Sequence, residues 1–473
     1  MKDNDDTNYG EINIMSLIER YEAMRQNSHS CYFDAEDFES IVSYYLFNDD
    51  VEKARGAVND GMYFHPNSLE LKLRLIEVEI EDEQPENALN LVGEVKNFAY
   101  SYKAEITMLE ARILLSQQKV DEAIHLLDSL LKNDVNANDI DLQAVVNKLL
   151  NMSEHVYAAR YLEFMSKHQD NVGSLLLDLA YCYERLDDTQ KAIATYERYL
   201  DDNPFSTLAW YELAKMYEKD SQYDNAIKAY DFVTTIDPTY AEAYYGKTEI
   251  QISNGLYQQA IKTLENILDE YPNSVKATYI LGECYEKLDR IEDALRCYLL
   301  AIKNDETYAE AYYAAAFIFK EQGKYYECVL FLKKAASLEP ENGEYFYGLG
   351  KTLMELHQPE EAIQAFESAL ENDKYDFESW LLLAELHAVS DFNKALSTLE
   401  EASAFLYDIP EISYRIAALY FLTDNIDKCA EHFERGILLD AEKASDFFNL
   451  CPTARHDERI MTIYINSKTK NSI

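Results

Sequence analysis

Apolar and small side chains recur along this chain at spacings of three and four residues, in short blocks separated by polar turns. In one block, Val275 to Lys287, they are Thr278, Leu281, Gly282 and Tyr285; in the next they are Ile291, Ala294, Leu295, Tyr298 and Ala301. Positions i, i+3, i+4 and i+7 lie on one face of an α-helix, so each block predicts a helix buried along one side. Leu288-Asp289-Arg290 is the turn between them. Where a proline occurs, as at Pro204, Pro238, Pro272 and Pro340, it follows the second helix and stops it, because proline has no amide hydrogen to donate.

This two-helix unit repeats through most of the chain. Thr207 to Tyr240 laid on Val275 to Tyr308, two units further on, puts Leu213-Ala214 on Leu281-Gly282, Tyr217 on Tyr285, Ala226 on Ala294 and Tyr230 on Tyr298. Windows start at Ala35, Leu69, Ala104, Asp139, Gly173, Thr207, Ala241, Val275, Ala309, Gly343, Phe377 and Pro410. They are 34 residues long except for two of 35, from Leu69 and Ala104, and one of 33, from Phe377. A small residue opens each second half: Ala54, Ala88, Ala123, Ala158, Ala192, Ala226, Ala260, Ala294, Cys328, Ala362, Ala395 and Cys429. Small side chains at a fixed slot let two helix axes approach where larger ones would hold them apart.

The unit resembles the tetratricopeptide repeat, whose signature is W-x2-L-G-x2-Y, then A-x3-F, then P, at a period of about 34 residues. Trp210, Leu213, Ala214, Tyr217, Ala226, Tyr230 and Pro238 fit it with conservative changes, and Trp380, Leu383 and Ala384 repeat its opening. Lys247-Thr248 departs from the Leu-Gly pair, and Ile76, Glu110 and Val146 lie in or beside the small slot of their windows. The resemblance implies an all-α fold: a right-handed superhelix (an α-solenoid) of about twelve helix-turn-helix repeats with a concave protein-binding groove. The expected organisation is a disordered start and N-terminal capping helix over 1–34, the array over 35–443, and C-terminal capping helices with a short flexible tail over 444–473. Ile14, Leu17, Ile18 and Tyr21 share a face that can cover the first repeat; SDFFNLC, Pro452 and ARHDERIMTIYINSK can cover the last. Open arrays need such covers, since a terminal repeat otherwise exposes its stacking face. Disorder is expected for residues 1–10 and beyond Lys468.

Composition narrows the function. The 473 residues carry 43 Lys plus Arg against 87 Asp plus Glu, a formal charge of −44. Binding to nucleic acid or to an anionic membrane surface needs clustered cations, so neither is expected. No apolar run is long enough to span a bilayer, and the start, MKDNDDTNYG, lacks the basic and apolar regions of a secretory signal. Seven cysteines without CxxC spacing suit free thiols in a reducing compartment, and a cytoplasmic location is expected.

No catalytic motif emerges. YGLGKT, ending at Thr352, resembles the end of a phosphate loop, but Tyr345 stands where the loop needs glycine, and Gly350 already fills the small slot beside Leu349. The histidines form no HExxH; His125, His155, His357, His387 and His432 fall within expected helices, isolated from other ligands. Cys182, Cys284, Cys328 and Cys429 read as buried inert thiols, and Asn151-Met152-Ser153 as a chance glycosylation match. The expectation is a protein that is not an enzyme and holds no metal or cofactor.

A tyrosine series is more informative. Tyr211, Tyr245, Tyr279, Tyr313 and Tyr347 hold one slot in five consecutive repeats, and Tyr414 returns to it. By the resemblance, this helix lines the groove. One turn on come Lys215, Glu249, Glu283, Phe317 and Lys351; three residues before come Leu208, Glu242, Lys276, Glu310 and Glu344, with Glu411 before Tyr414. The series predicts a tyrosine ladder flanked by carboxylates, which serves either to stack neighbouring repeats or to bind a ligand. Scattered Lys215, Lys276, Lys320 and Lys351 do not make the cationic clamp with which some members of the family hold an acidic peptide end. The expected partner is a protein or peptide segment, basic or aromatic-rich, held by a scaffold or adaptor. The alternative is self-assembly into a homo-oligomer through the terminal helices, where Ile460, Met461, Ile463 and Tyr464 are apolar, or through the convex surface.

Overall fold

The computed structural model describes residues 4–27, 32–96, 102–132, 142–168 and 172–470. Among these there are helices and turns and no strand. The chain divides into two compact units, 1–237 and 238–473, split after the second helix of the sixth expected repeat, three residues before that window ends at Tyr240. This division falls beside a repeat boundary, as a fold held together by neighbour contacts allows.

Unit 1 opens with α1 (Asn4–Asn27) and continues in six helix pairs: α2 (Ala35–Phe47) with α3 (Val51–Phe64), α4 (Leu69–Glu81) with α5 (Pro85–Val95), α6 (Lys103–Ser116) with α7 (Val120–Lys132), α8 (Gln143–Asn151) with α9 (His155–His168), α10 (Gly173–Arg185) with α11 (Thr189–Asp202), and α12 (Thr207–Lys219) with α13 (Tyr223–Ile236). Unit 2 holds six more: α14 (Ala241–Ser253) with α15 (Tyr257–Glu270), α16 (Val275–Lys287) with α17 (Ile291–Asn304), α18 (Ala309–Glu321) with α19 (Tyr325–Leu338), α20 (Gly343–Glu355) with α21 (Pro359–Asn372), α22 (Phe377–Ser390) with α23 (Phe392–Phe405), and α24 (Pro410–Leu422) with α25 (Ile426–Leu439). It closes with α26 (Ala444–Leu450), a 3-10 turn (Pro452–His456) and α27 (Glu458–Lys470). Ten of the twelve window starts read from the sequence are the first residue of a helix. Of the others, α6 starts one residue before Ala104, and Asp139 lies outside the described residues.

Two local rules build each pair. The first is the turn. In eleven of the twelve, one residue sits in the left-handed region, from Asp49 (φ 56°) to Asp424 (φ 61°), with Gly255 and Gly323 among them. The amide after it reaches back to a carbonyl five residues earlier, as in Arg290 N to Tyr285 O at 2.9 Å, which caps the first helix. The sequence reading placed His357 in a helix; it is instead the left-handed residue of its turn (φ 54°), the slot that Asp289 holds in its own repeat. The exception is the 33-residue window. There α22 runs straight to Asp391, which ends it and caps α23 by accepting from Asn393 N (2.8 Å) and Lys394 N (3.3 Å). The missing residue of that window is therefore the left-handed one.

The second rule is the small slot. All twelve small residues that open the second helices are buried to 1% exposure or less. The Leu-Gly slot has a matching cause. A Cβ added at Gly282 would lie 2.5 Å from the Tyr298 ring, and one at Gly350 2.8 Å from the Phe366 ring; each ring belongs to the second helix of the same pair.

The ends are covered. Ile18 and Tyr21 of α1 pack with Phe33, Phe38 and Tyr45, and the Tyr21 hydroxyl donates to Asp60 at 2.7 Å. α1 extends back to Asn4; residues 1–3 and 471–473, within the ends expected to be disordered, lie outside the described residues. At the other end Phe447, Phe448 and Ile460 are buried, and Met461, Ile463 and Tyr464 pack on the same cluster. The apolar face suggested for self-assembly is thus occupied by the chain's own last repeat.

Candidate functional site

The tyrosine series lies on first helices and is half-buried, with one exception. Tyr414 is 0% exposed, its hydroxyl donating to Asp440 O at 2.6 Å, so it cannot touch a partner. Its ring packs on Phe433 at 5.8 Å and against Gly436 of α25, which its slot in the repeat does not reveal. Tyr211 belongs to unit 1, where its ring faces Tyr230 at 5.9 Å and Lys215 Nζ lies 5.7 Å from its centroid. The other four stand in unit 2 on α14, α16, α18 and α20.

Two of those four, Tyr313 and Tyr347, bond to the next repeat, while the contacts of Tyr245 and Tyr279 stay within their own. The Tyr313 hydroxyl donates to Glu344 Oε1 at 2.7 Å, and Tyr347 donates to Glu378; both acceptors lie 31 residues on, in the first turn of the next first helix. Tyr245 meets Ser274 Oγ at 2.9 Å, with Lys276 Nζ 4.4 Å above its ring. Tyr279 packs on Tyr298 (5.5 Å) and Tyr308 (5.4 Å) and bonds to Glu283, whose carboxyl is held above its usual range by burial. Burial and the bond to Glu344 push the Tyr313 hydroxyl well above the usual phenol range, so it stays a donor. Stacking between repeats is thus one use of the ladder. Tyr298, Tyr308 and Tyr345, which back it, were missed as ladder members; their signal was the repeat spacing of aromatic residues on the neighbouring helix and loop.

Of the carboxylates, Glu242, Glu249 and Glu344 are exposed, while Glu283 and Glu310 are half-buried. Glu283 and Glu344 already accept tyrosine hydroxyls, which leaves Glu242 and Glu249 as the exposed charges at the start of unit 2.

Beside the ladder a cleft of about 220 Å³ opens between α18, α19 and α20. Phe317, 44% exposed, stands at it with Tyr313, Tyr347 and Leu332; Lys320 and Lys351 are its cations. Lys351 donates to the Tyr347 hydroxyl at 3.1 Å, a bond that raises the ammonium's pKa and keeps it charged. The floor is open because position 348 is glycine: a Cβ there would reach Leu332 and Tyr313 at 3.6 Å. The volume is below the ~300–1,000 Å³ of small-molecule sites, and suits one inserted side chain. The sequence pointed to Phe317, Tyr313 and Tyr347, but not to Leu332 or Gly348, since only packing brings α19 beneath α20.

The described residues hold no group of three or more His, Cys, Asp or Glu placed to bind a metal. The described cysteines are unpaired, and burial pushes the Cys429 thiol up to about 12; Cys31 lies outside the described residues. No described helix is long and apolar enough to cross a membrane.

Family models described as "Tetratricopeptide repeat" match residues 172–241 and 347–402, and residues 309–342. A model described as "Anaphase-promoting complex, cyclosome, subunit 3" matches residues 219–301. The protein CTR9 homolog of Arabidopsis thaliana is 25% identical over 175 residues, 35% of this chain; the match spans 16% of that protein's length. Among solved structures, MamA is 25% identical (34% of this chain, 95% of that one, TM-score 0.32). YrrB, titled a TPR protein with an unusual peptide-binding site, is 21% identical (44% and 97%, TM-score 0.33). The C-terminal part of a TPR repeat-containing protein from Cytophaga hutchinsonii is 18% identical (50% and 98%, TM-score 0.43).

Proposed function

Since the chain is a tetratricopeptide-repeat protein, we propose that it is a non-enzymatic scaffold of the cytoplasm that binds a segment of a partner protein along the first helices of unit 2. The cleft at Phe317 carries this reading. It is apolar, sized for a side chain, and walled by tyrosines that the interrepeat bonds hold in place, so little ordering is needed on binding. Aromatic anchors in a preformed pocket are where binding energy concentrates.

Charge sets the segment's polarity. Glu242 and Glu249 favour basic residues over α14, as does the net charge of the whole chain. Lys320 and Lys351 outnumber Glu344 at the cleft and disfavour a cation there, and its largely apolar walls suit an apolar or aromatic residue. A photo-crosslinker in place of Phe317 captures the partner, and Gly348→Leu, which fills the floor, abolishes capture while the helical circular dichroism stays unchanged. Equal capture by the Gly348→Leu chain would sink the cleft. Peptides that share one aromatic residue but differ in flanking charge test the rest: the basic peptide binds more tightly than its acidic counterpart.

A further inference from the structure

A second interrepeat joint recurs at the tyrosine of the W-x2-L-G-x2-Y signature. Tyr217 donates to Glu197 at 2.5 Å, Tyr420 to Glu400 at 2.7 Å, and Tyr183 to Glu163; each acceptor lies 20 residues back, on the second helix of the preceding repeat. A cation often covers the ring: Lys191 Nζ is 5.1 Å from the Tyr183 centroid and Lys428 Nζ 5.0 Å from that of Tyr420. In the repeat that opens with Trp380, histidine takes this slot. The rest of the joint is kept, with Glu367 20 residues before His387 and Lys394 just after the shortened turn.

His387 is 3% exposed, and its bonding falls one short. Thr398 has a single hydroxyl hydrogen, which it gives to Lys394 O at 2.9 Å. It therefore accepts, at 3.0 Å, from His387 Nδ1–H. That fixes the neutral tautomer and leaves Nε2 a buried lone pair without a partner. The imidazole is shorter than a tyrosine side chain and its Nε2 reaches no acceptor, Glu367 included, so a proton taken up there would be a buried N–H without a partner. The charged groups around it are Glu367 and Glu371 of α21, Lys374 of the following loop, Asp391 between the helices, and Lys394 and Glu401 of α23. All of them line one cleft with His387 except Asp391.

We propose that the joint between α21 and the α22–α23 pair is a proton-sensitive weak point of unit 2, which loosens when His387 takes up a proton at Nε2. Burial and then Lys394 hold the imidazole pKa below its ordinary 6.5, outweighing Glu367 and Asp391. The unfolded or opened joint thus binds the proton more readily than the closed one. Stability is fully present above about pH 6.5 and is lost as pH falls from there toward the folded value.

Hydrogen exchange of the full chain, read by mass spectrometry near pH 7.5 and near pH 5.5 and corrected for intrinsic rates, tests this. In the unaltered chain the opening of α21–α23 rises by up to about tenfold in acid. His387→Tyr, which restores the hydroxyl to Glu367, removes the rise. His387→Gln, neutral at both pH values, serves as the second variant should tyrosine not fit. No acid-induced opening in the unaltered chain, or the same opening in both variants, overturns the proposal.

Discussion

At the scale of single residues, the ladder tyrosines do two jobs whose effects can be separated. Tyr313 packs its ring on Phe317 and Tyr345, each at 4.8 Å, and sends its hydroxyl to Glu344 in the next repeat. Replacing it with alanine removes a half-buried ring and costs about 1–3 kcal/mol of local stability, below the ~3–5 kcal/mol of a fully buried aromatic residue. Lost binding would then be ambiguous. Tyr313→Phe keeps the ring and removes only a bond to an exposed carboxylate, worth about 1 kcal/mol or less. Denaturant titration followed by hydrogen exchange in α18 and α20 should rank the two in that order. If phenylalanine costs as much as alanine, the hydroxyl holds the repeats together more than the ring does.

At the scale of helices and turns, the repeat period exposed almost the whole architecture to a reader of the sequence. The small slot, the Leu-Gly pair and the turn each impose a residue type for a steric reason, and twelve copies make the signal strong. The windows from Ala104 and Asp139 were the least legible, because their neighbours depart from the pattern and part of the segment lies outside the described residues. The site was half legible. Tyr313, Phe317 and Tyr347 stood out by slot, whereas Leu332 and Gly348 become neighbours only through packing, and the burial of Tyr414 likewise comes from packing against α25. The shortened repeat was visible as a one-residue deficit without its meaning. That meaning is testable: Asp391 serves both helices, so Asp391→Ala removes the only cap of α23 and costs about 1 kcal/mol. Asp289→Gly, at a turn that keeps its left-handed residue, relieves backbone strain and gains up to about 1 kcal/mol. Exchange protection of α22–α23 should fall in the first variant, and that of α16–α17 should hold or rise in the second. Equal loss in both would mean that the two turns are equivalent after all.

At the scale of the molecule, arithmetic leaves an excess of carboxylates that no pairing can remove: 43 basic residues face 87 acidic ones. Ion pairs do bridge repeats, such as Arg55 to Asp82 at 2.7 Å and Lys333 to Glu361 at 2.6 Å, but their side chains are one-third to one-half exposed, and pairs at the surface contribute about 0–1 kcal/mol each. Self-repulsion of the surplus therefore outweighs them and destabilises the folded chain at low salt. Salt at about 0.3 M shortens the reach of charge below the ~10 Å found at 0.1 M, so the thermal midpoint should rise between low salt and that concentration. The same screening weakens attraction for a basic segment, and its association should slow over the same range. The two trends are opposite in direction and have one cause. A midpoint that falls with salt would mean that the interrepeat ion pairs outweigh repulsion. Association that quickens with salt would mean that the segment carries the same sign of charge as the chain, and the basic partner would have to be given up.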